Sequence, residues 1–219
     1  MNEEPDQLEK PSLRGVFHVW ACVLSLFSGA ALVMLARDSD ATVVALVYSI
    51  SVSALLGVSG LYHRVDWRPT ARAWMRRLDH TMIFVLIAGS YTPLAVYALD
   101  PGSRTWVLAT VWGAVGAVFA VNLGLQNAPH WFHAVLSIAG GFAGAATFPE
   151  IVRNAGWGCM TLLIIGGVLY VGGAACYALK RPNPVPGTFG YHEVFHAMVV
   201  LAAATHYAAI ARYVLPLES

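Results

Sequence analysis

The sequence predicts an all-α integral membrane protein: a bundle of seven transmembrane helices, with the N-terminus in the cytoplasm and the C-terminus outside. Three observations carry that reading. Hydrophobic residues make up 58% of the 219 positions and charged residues only 11%, against roughly 25% charged in soluble domains. Seven runs are long and apolar enough for a bilayer core, which needs about 20 residues per helix. The basic residues also collect between alternate runs, as the positive-inside rule requires.

The seven runs are Val16–Ala36, Ala41–Tyr62, His80–Leu99, Arg104–Leu125, Trp131–Pro149, Trp157–Leu179 and Tyr191–Leu215. Turn or charge signals separate them at Arg37–Asp40, Arg64–Leu78, Asp100–Ser103, Gln126–His130, Glu150–Gly156 and Lys180–Gly190. The fifth run is short and rich in glycine. Ahead of the first, residues 1–15 mix acidic and basic side chains and lack the apolar stretch and small-residue cleavage site of a signal peptide. They are expected to form a disordered cytoplasmic tail. Residues 16–215 are then the membrane domain and 216–219 a short external tail.

Orientation follows from the arginines. Lys10, Arg14, Arg64, Arg68, Arg72, Arg76, Arg77, Lys180 and Arg181 place nine of the thirteen Lys and Arg on one side. Arg37, Arg104, Arg153 and Arg212 fall on the other. The first side is therefore cytoplasmic, with Trp67 and Trp74 as interfacial anchors. The expected location is the cell (plasma or inner) membrane, with membrane lipids as partners. A formal charge of +1 gives no reason to expect nucleic acid. Cys22, Cys159 and Cys176 fall within spans, show no CxxC spacing, and read as small apolar fillers.

Against this apolar background four polar residues stand out. His63 ends the second run, Asp79 opens the third, and His192 and His196 lie in the first two turns of the seventh. All four fall at the cytoplasmic ends of their helices, so a rise of about 1.5 Å per residue brings them to one depth. Ionisable groups within a span are costly and mark function. His192 and His196 are four residues apart and share a helix face. With His63 they offer three nitrogens, the usual protein share of an open zinc site. Asp79 is suited to hold a water or orient a histidine, and Ser59 lies one turn before His63 on the same face. A lone membrane histidine is more often a hydrogen-bonded packing residue, and that reading is given to His18, His130, His133 and His206. His206 shares the His192 face but lies about 15 Å further along the helix than His196.

These residues carry a family resemblance. Ser59-Gly-Leu-Tyr-His63, Leu78-Asp79-His80 leading to Ala88-Gly-Ser-Tyr-Thr-Pro93, and Tyr191-His192-Glu-Val-Phe-His196, in this order, resemble the hemolysin III family within the progestin and adipoQ receptor superfamily. The resemblance covers Val16–Leu215. It implies a seven-helix bundle with zinc near the cytoplasmic side, held by the histidines matching His63, His192 and His196, with the aspartate matching Asp79 against the water on the metal. Adiponectin receptors in the superfamily are regarded as lipid amide hydrolases, and the bacterial branch is named for lysis of red cells. The expected chemistry is zinc-assisted hydrolysis of a lipid amide or ester, or an influence on membrane lipid homeostasis. Asp79 would accept the proton of the attacking water, and Ser59 would stabilise charge on the carbonyl oxygen.

Three other readings stand beside this one. A pore-forming, cytolytic protein would use zinc structurally. A receptor-like regulator of lipid composition would bind zinc without turnover. An intramembrane metalloprotease would use His192-Glu193-Val194-Phe195-His196 as a His-Glu-x-x-His motif, with Glu193 as base. The protease reading leaves His63 and Ser59 without a role. Under the hydrolase reading Glu193 is turned about 100° from His192 and faces headgroups or a neighbouring helix. Gly140 and Gly144, and the glycines of the sixth run, mark close helix packing within the bundle.

Overall fold

The computed structural model describes residues 11–124 and 137–217. Its helices are α1 (Val16–Leu35), α2 (Ser39–Arg64), α3 (Pro69–Ala98), α4 (Pro101–Gly124), α5 (Phe148–Leu179) and α6 (Tyr191–Ala209). A helical segment at 137–141 and a 3-10 turn precede α5, and π and 3-10 turns extend α6 to Leu217. Among the described residues there is no β-strand, only an isolated bridge between Val185 and Phe189. Six of these helical stretches are long and apolar enough to cross a membrane. The expected Gln126–His130 break, the start of the fifth run at Trp131, and His130 and His133 lie outside the described residues.

Local chemistry sets the helix starts. Asp38 caps α2 by accepting from the Ala41 amide at 2.8 Å, which satisfies one of the amides a helix start leaves free. Pro69 and Pro101 open α3 and α4, where the missing N–H costs nothing. Pro69 also corrects an expectation. The long basic loop Arg64–Leu78 is only a short break, because α3 starts at Pro69 and carries Arg72, Arg76 and Arg77 in its first turns. The Arg77 guanidinium lies 4.8 Å from the Trp74 ring centre. Inside α5, Gly156 adopts φ 81° and breaks the helical path at a conformation only glycine enters freely.

Helices α1 and α2, α2 and α3, α3 and α4, and α5 and α6 pack as neighbours, and α1 also meets α6. That last contact brings both ends of the chain together around the site. Ala21 of α1, Leu55 and Leu56 of α2, Leu86 of α3 and Val199 of α6 form an apolar cluster directly beyond the histidines. The outer faces remain apolar: Trp20, Phe27 and Met34 are 67%, 73% and 79% exposed. Such contiguous exposure suits hydrocarbon, not water.

Small residues allow the close contacts. A Cβ at Gly144 would come within 2.4 Å of the Tyr91 ring, and the Tyr91 hydroxyl both donates to Gly141 O at 2.6 Å and accepts from the Gly144 amide at 3.2 Å. At Gly166 a Cβ would meet the His206 ring at 2.3 Å. These glycines serve packing within the bundle. His206 is held by the Leu163 carbonyl at 3.2 Å and by the edge of Tyr170, as the packing reading expects.

Candidate metal centre

The last turn of α2 and the first two turns of α6 meet at one end of the bundle. His63 and His192 are each 9% exposed and His196 is 1% exposed. Nε2 of His63 and Nε2 of His192 stand 3.2 Å apart. Ring centres are 4.6 Å apart for His63–His192, 4.9 Å for His63–His196 and 4.6 Å for His192–His196. One nitrogen from each ring lies within 4.8 Å of the other two, so the trio could hold a metal ion. The donor chemistry fits zinc. Two nitrogens about 2.1 Å from a shared tetrahedral ion stand about 3.4 Å apart, close to the His63–His192 spacing.

Asp79 is half-buried in the third turn of α3. Its carboxylate accepts a hydrogen bond from the Ser59 hydroxyl, and Ser59 is itself 4% exposed. The structure thus brings together the histidine trio and, as a separate contact, a Ser59–Asp79 pair between α2 and α3. Asp79 is not within the set of converging donor atoms.

The structure adds residues that the sequence reading passed over. His18, assigned to packing, lies flat on His196 with ring centres 3.8 Å apart and an interplanar angle of 9°. It stands two residues into α1, at the same depth as the trio, so the counting that gathered the other histidines would have found it. Tyr177, in the last turn of α5, sets its ring edge-on to His192 at 5.3 Å.

Glu193 departs furthest from expectation. It faces no headgroup: it is fully buried, ion-paired with Arg14, and accepts the Gly190 amide at 2.8 Å. Its two oxygens thus cap the start of α6 and anchor the residues before α1. Residues 11–15 are correspondingly ordered and not part of a free tail. The Ser12 amide donates to Gly187 O at 3.1 Å, the Leu13 amide to Thr188 O at 3.3 Å, and Arg64 to Ser12 O at 3.2 Å. Gly15, at φ 79°, presses so close that a Cβ there would lie 2.7 Å from the His63 Cβ. Residues 1–10 lie outside the described residues.

Residues 6–207 match the family described as haemolysin-III related. The chain belongs to that family. Within it and the wider progestin and adipoQ receptor superfamily, relatives span bacteria and animals. Hemolysin-3 of Bacillus cereus is 29% identical over 187 residues, covering 83% of this chain and 80% of that protein. The human monocyte to macrophage differentiation factor is 26% identical over 206 residues, covering 90% and 81%. An adiponectin receptor protein of Drosophila melanogaster is 25% identical over 212 residues, covering 87% of this chain and 47% of that protein. For a haemolysin-III-related chain the motif-bearing residues His63, His192 and His196 are the three brought together, while His80, beside Asp79 in the sequence, stays outside the trio.

Proposed function

We propose that this protein is a zinc-dependent membrane hydrolase that cleaves an amide or ester bond of a lipid at the cytoplasmic face of the cell membrane. The observation that carries the reading is the convergence of three buried imidazole nitrogens within 4.8 Å beside a Ser59–Asp79 pair. Zinc in such a three-histidine site acts as a Lewis acid and lowers the pKa of a water in the open position towards about 7. The chain's own groups do the rest. His63, His192 and His196 supply neutral nitrogens from two helices. Asp79 accepts the proton of the attacking water. Ser59, by donating to Asp79, orients that carboxylate, which is a positioning role in place of the oxyanion role first expected.

Topology belongs to the same proposal. The stretch Ser137–Leu179 is 43 residues long, about twice what a bilayer core of about 30 Å needs. Gly156 interrupts it with a non-helical conformation. Two crossings there would bring the total to seven spans, and the basic residues around the histidine end support a cytoplasmic position for it.

The metalloprotease reading loses support because both Glu193 oxygens are engaged by Arg14 and Gly190, which leaves no free base. The name of the Bacillus cereus relative motivates one other reading, a lytic protein with structural zinc. Elemental analysis of the detergent-purified protein is expected to give about one zinc per chain, lost in His63→Ala and His196→Ala. Asp79→Asn is expected to keep the zinc and lose lipid turnover by at least about 100-fold. Unchanged turnover in Asp79→Asn would sink the hydrolase mechanism. Dye leakage from liposomes that persists in a folded His196→Ala protein would instead support lysis.

A further inference from the structure

His196 is the most deeply buried of the three imidazoles, and its Nδ1 has no hydrogen-bond partner. A histidine that faces a metal ordinarily donates its second ring N–H to a carboxylate, a carbonyl or water, and that bond fixes the ring. Packing against neighbouring rings is a second way to fix the plane of such a ring. Of the rings around it, His63 is tilted by 59°, His192 by 67° and Phe195 by 56°. Among the described residues only His18 lies parallel, at 9° and 3.8 Å. His18 is 2% exposed, and its nitrogens make no hydrogen bond of normal geometry beyond an approach to the His196 backbone. A polar ring buried on those terms is costly unless it does something. It is not one of the converging donors, and two parallel rings send their in-plane lone pairs side by side instead of to one point. The contact it makes is with the face of His196.

The frame around His18 is rigid. Three residues earlier Gly15 packs against His63, and one residue before that Arg14 is tied to Glu193 at the start of the helix that carries His196. One turn later Ala21 enters the apolar cluster with Val199. The stacked ring is thus held from both sides along α1.

We propose that His18 is a positioning residue of the candidate metal centre, fixing the ring plane of His196 by stacking on its face. The proposal rests on the metal-binding reading of the trio. What matters in it is the flat face of residue 18, not its nitrogens.

The test is zinc affinity of the full-length protein in detergent, by competition with a chromogenic chelator, for wild type, His18→Phe, His18→Leu and His18→Ala. The cobalt(II) absorption spectrum of each is the second readout, because it reports ligand geometry and would not move if residue 18 served only to hold the fold. Phenylalanine keeps the flat face and is expected to bind within about 3-fold of wild type, while leucine and alanine lose about 10- to 100-fold, the usual cost of a lost outer partner. At saturating cobalt the phenylalanine variant is expected to show the wild-type bands and the other two shifted bands. Phenylalanine losing zinc as fully as alanine would overturn the proposal, since the nitrogens would then matter. So would alanine or leucine binding like wild type. If the alanine variant does not fold, the phenylalanine–leucine contrast decides. A wild type that takes up no zinc removes the metal reading and this role together, whereas a zinc-binding wild type with unaffected variants removes only the role of His18.

Discussion

The two ends of the bundle hold their charges in opposite ways. At the histidine end, Glu193 is fully buried and ion-paired with Arg14, whose side chain is 20% exposed. At the other end, Asp100 and Arg153 pair at 2.8 Å with both side chains 58% exposed. Nearby, Glu150 accepts from the Asp100 amide at 2.9 Å and the Ser103 hydroxyl at 2.6 Å. The open end uses charge as a turn fastening within reach of water. The closed end spends desolvation energy to fix backbone around three imidazoles. That contrast is a reason to look for chemistry at one end and only connection at the other.

The comparison can be broken by substitution. Arg14→Ala strands a buried carboxylate and is expected to cost about 3–5 kcal/mol, read as a lowered unfolding midpoint in detergent. It is also expected to weaken zinc binding, because Glu193 anchors the turn that carries His192. A loss under about 1 kcal/mol would mean that the pair is solvated in the membrane-embedded protein. Gly144→Ala tests the packing between the two ends. The new methyl meets Tyr91 at 2.4 Å, so a loss of about 1–3 kcal/mol is expected with zinc content unchanged. Arg153→Ala is expected to cost no more than about 1 kcal/mol, less in high salt. A larger, salt-independent loss would erase the distinction between the ends.

Much of this was legible in the sequence. Apolar length located the helices, because the bilayer requirement is nearly one-dimensional. Counting residues from the helix ends placed His63, His192 and His196 at one depth, and the structure brings those three together. What the sequence hid depends on contacts between remote segments. His18 meets His196 only because α1 packs against α6. The sequence leaves Glu193 facing headgroups or a neighbouring helix, because its partner, Arg14, reads as part of a polar tail. The helical start of α3 was available in principle: Arg72 and Arg76 stand four residues apart after a Pro69 suited to a first helical position. The cluster of charge outweighed that period. The sequence does mark a break at Glu150–Gly156, and within the 43-residue stretch the non-helical residue is Gly156; the positive φ itself is a torsion that composition does not reveal.

The hydrogen-bonding pair His63 and His192 is separated by 129 positions in the chain. His63 is therefore synthesised well before His192. A ribosome that stalled after α5 would leave a membrane-inserted chain with a single imidazole of the trio, flanked by an Arg14 that still lacks Glu193. Such a precursor has nothing to grip an ion with. Only docking of α6 completes both the trio and its clasp, so any metal the trio takes up would be loaded after the fold closes and would act as a receipt for finished assembly.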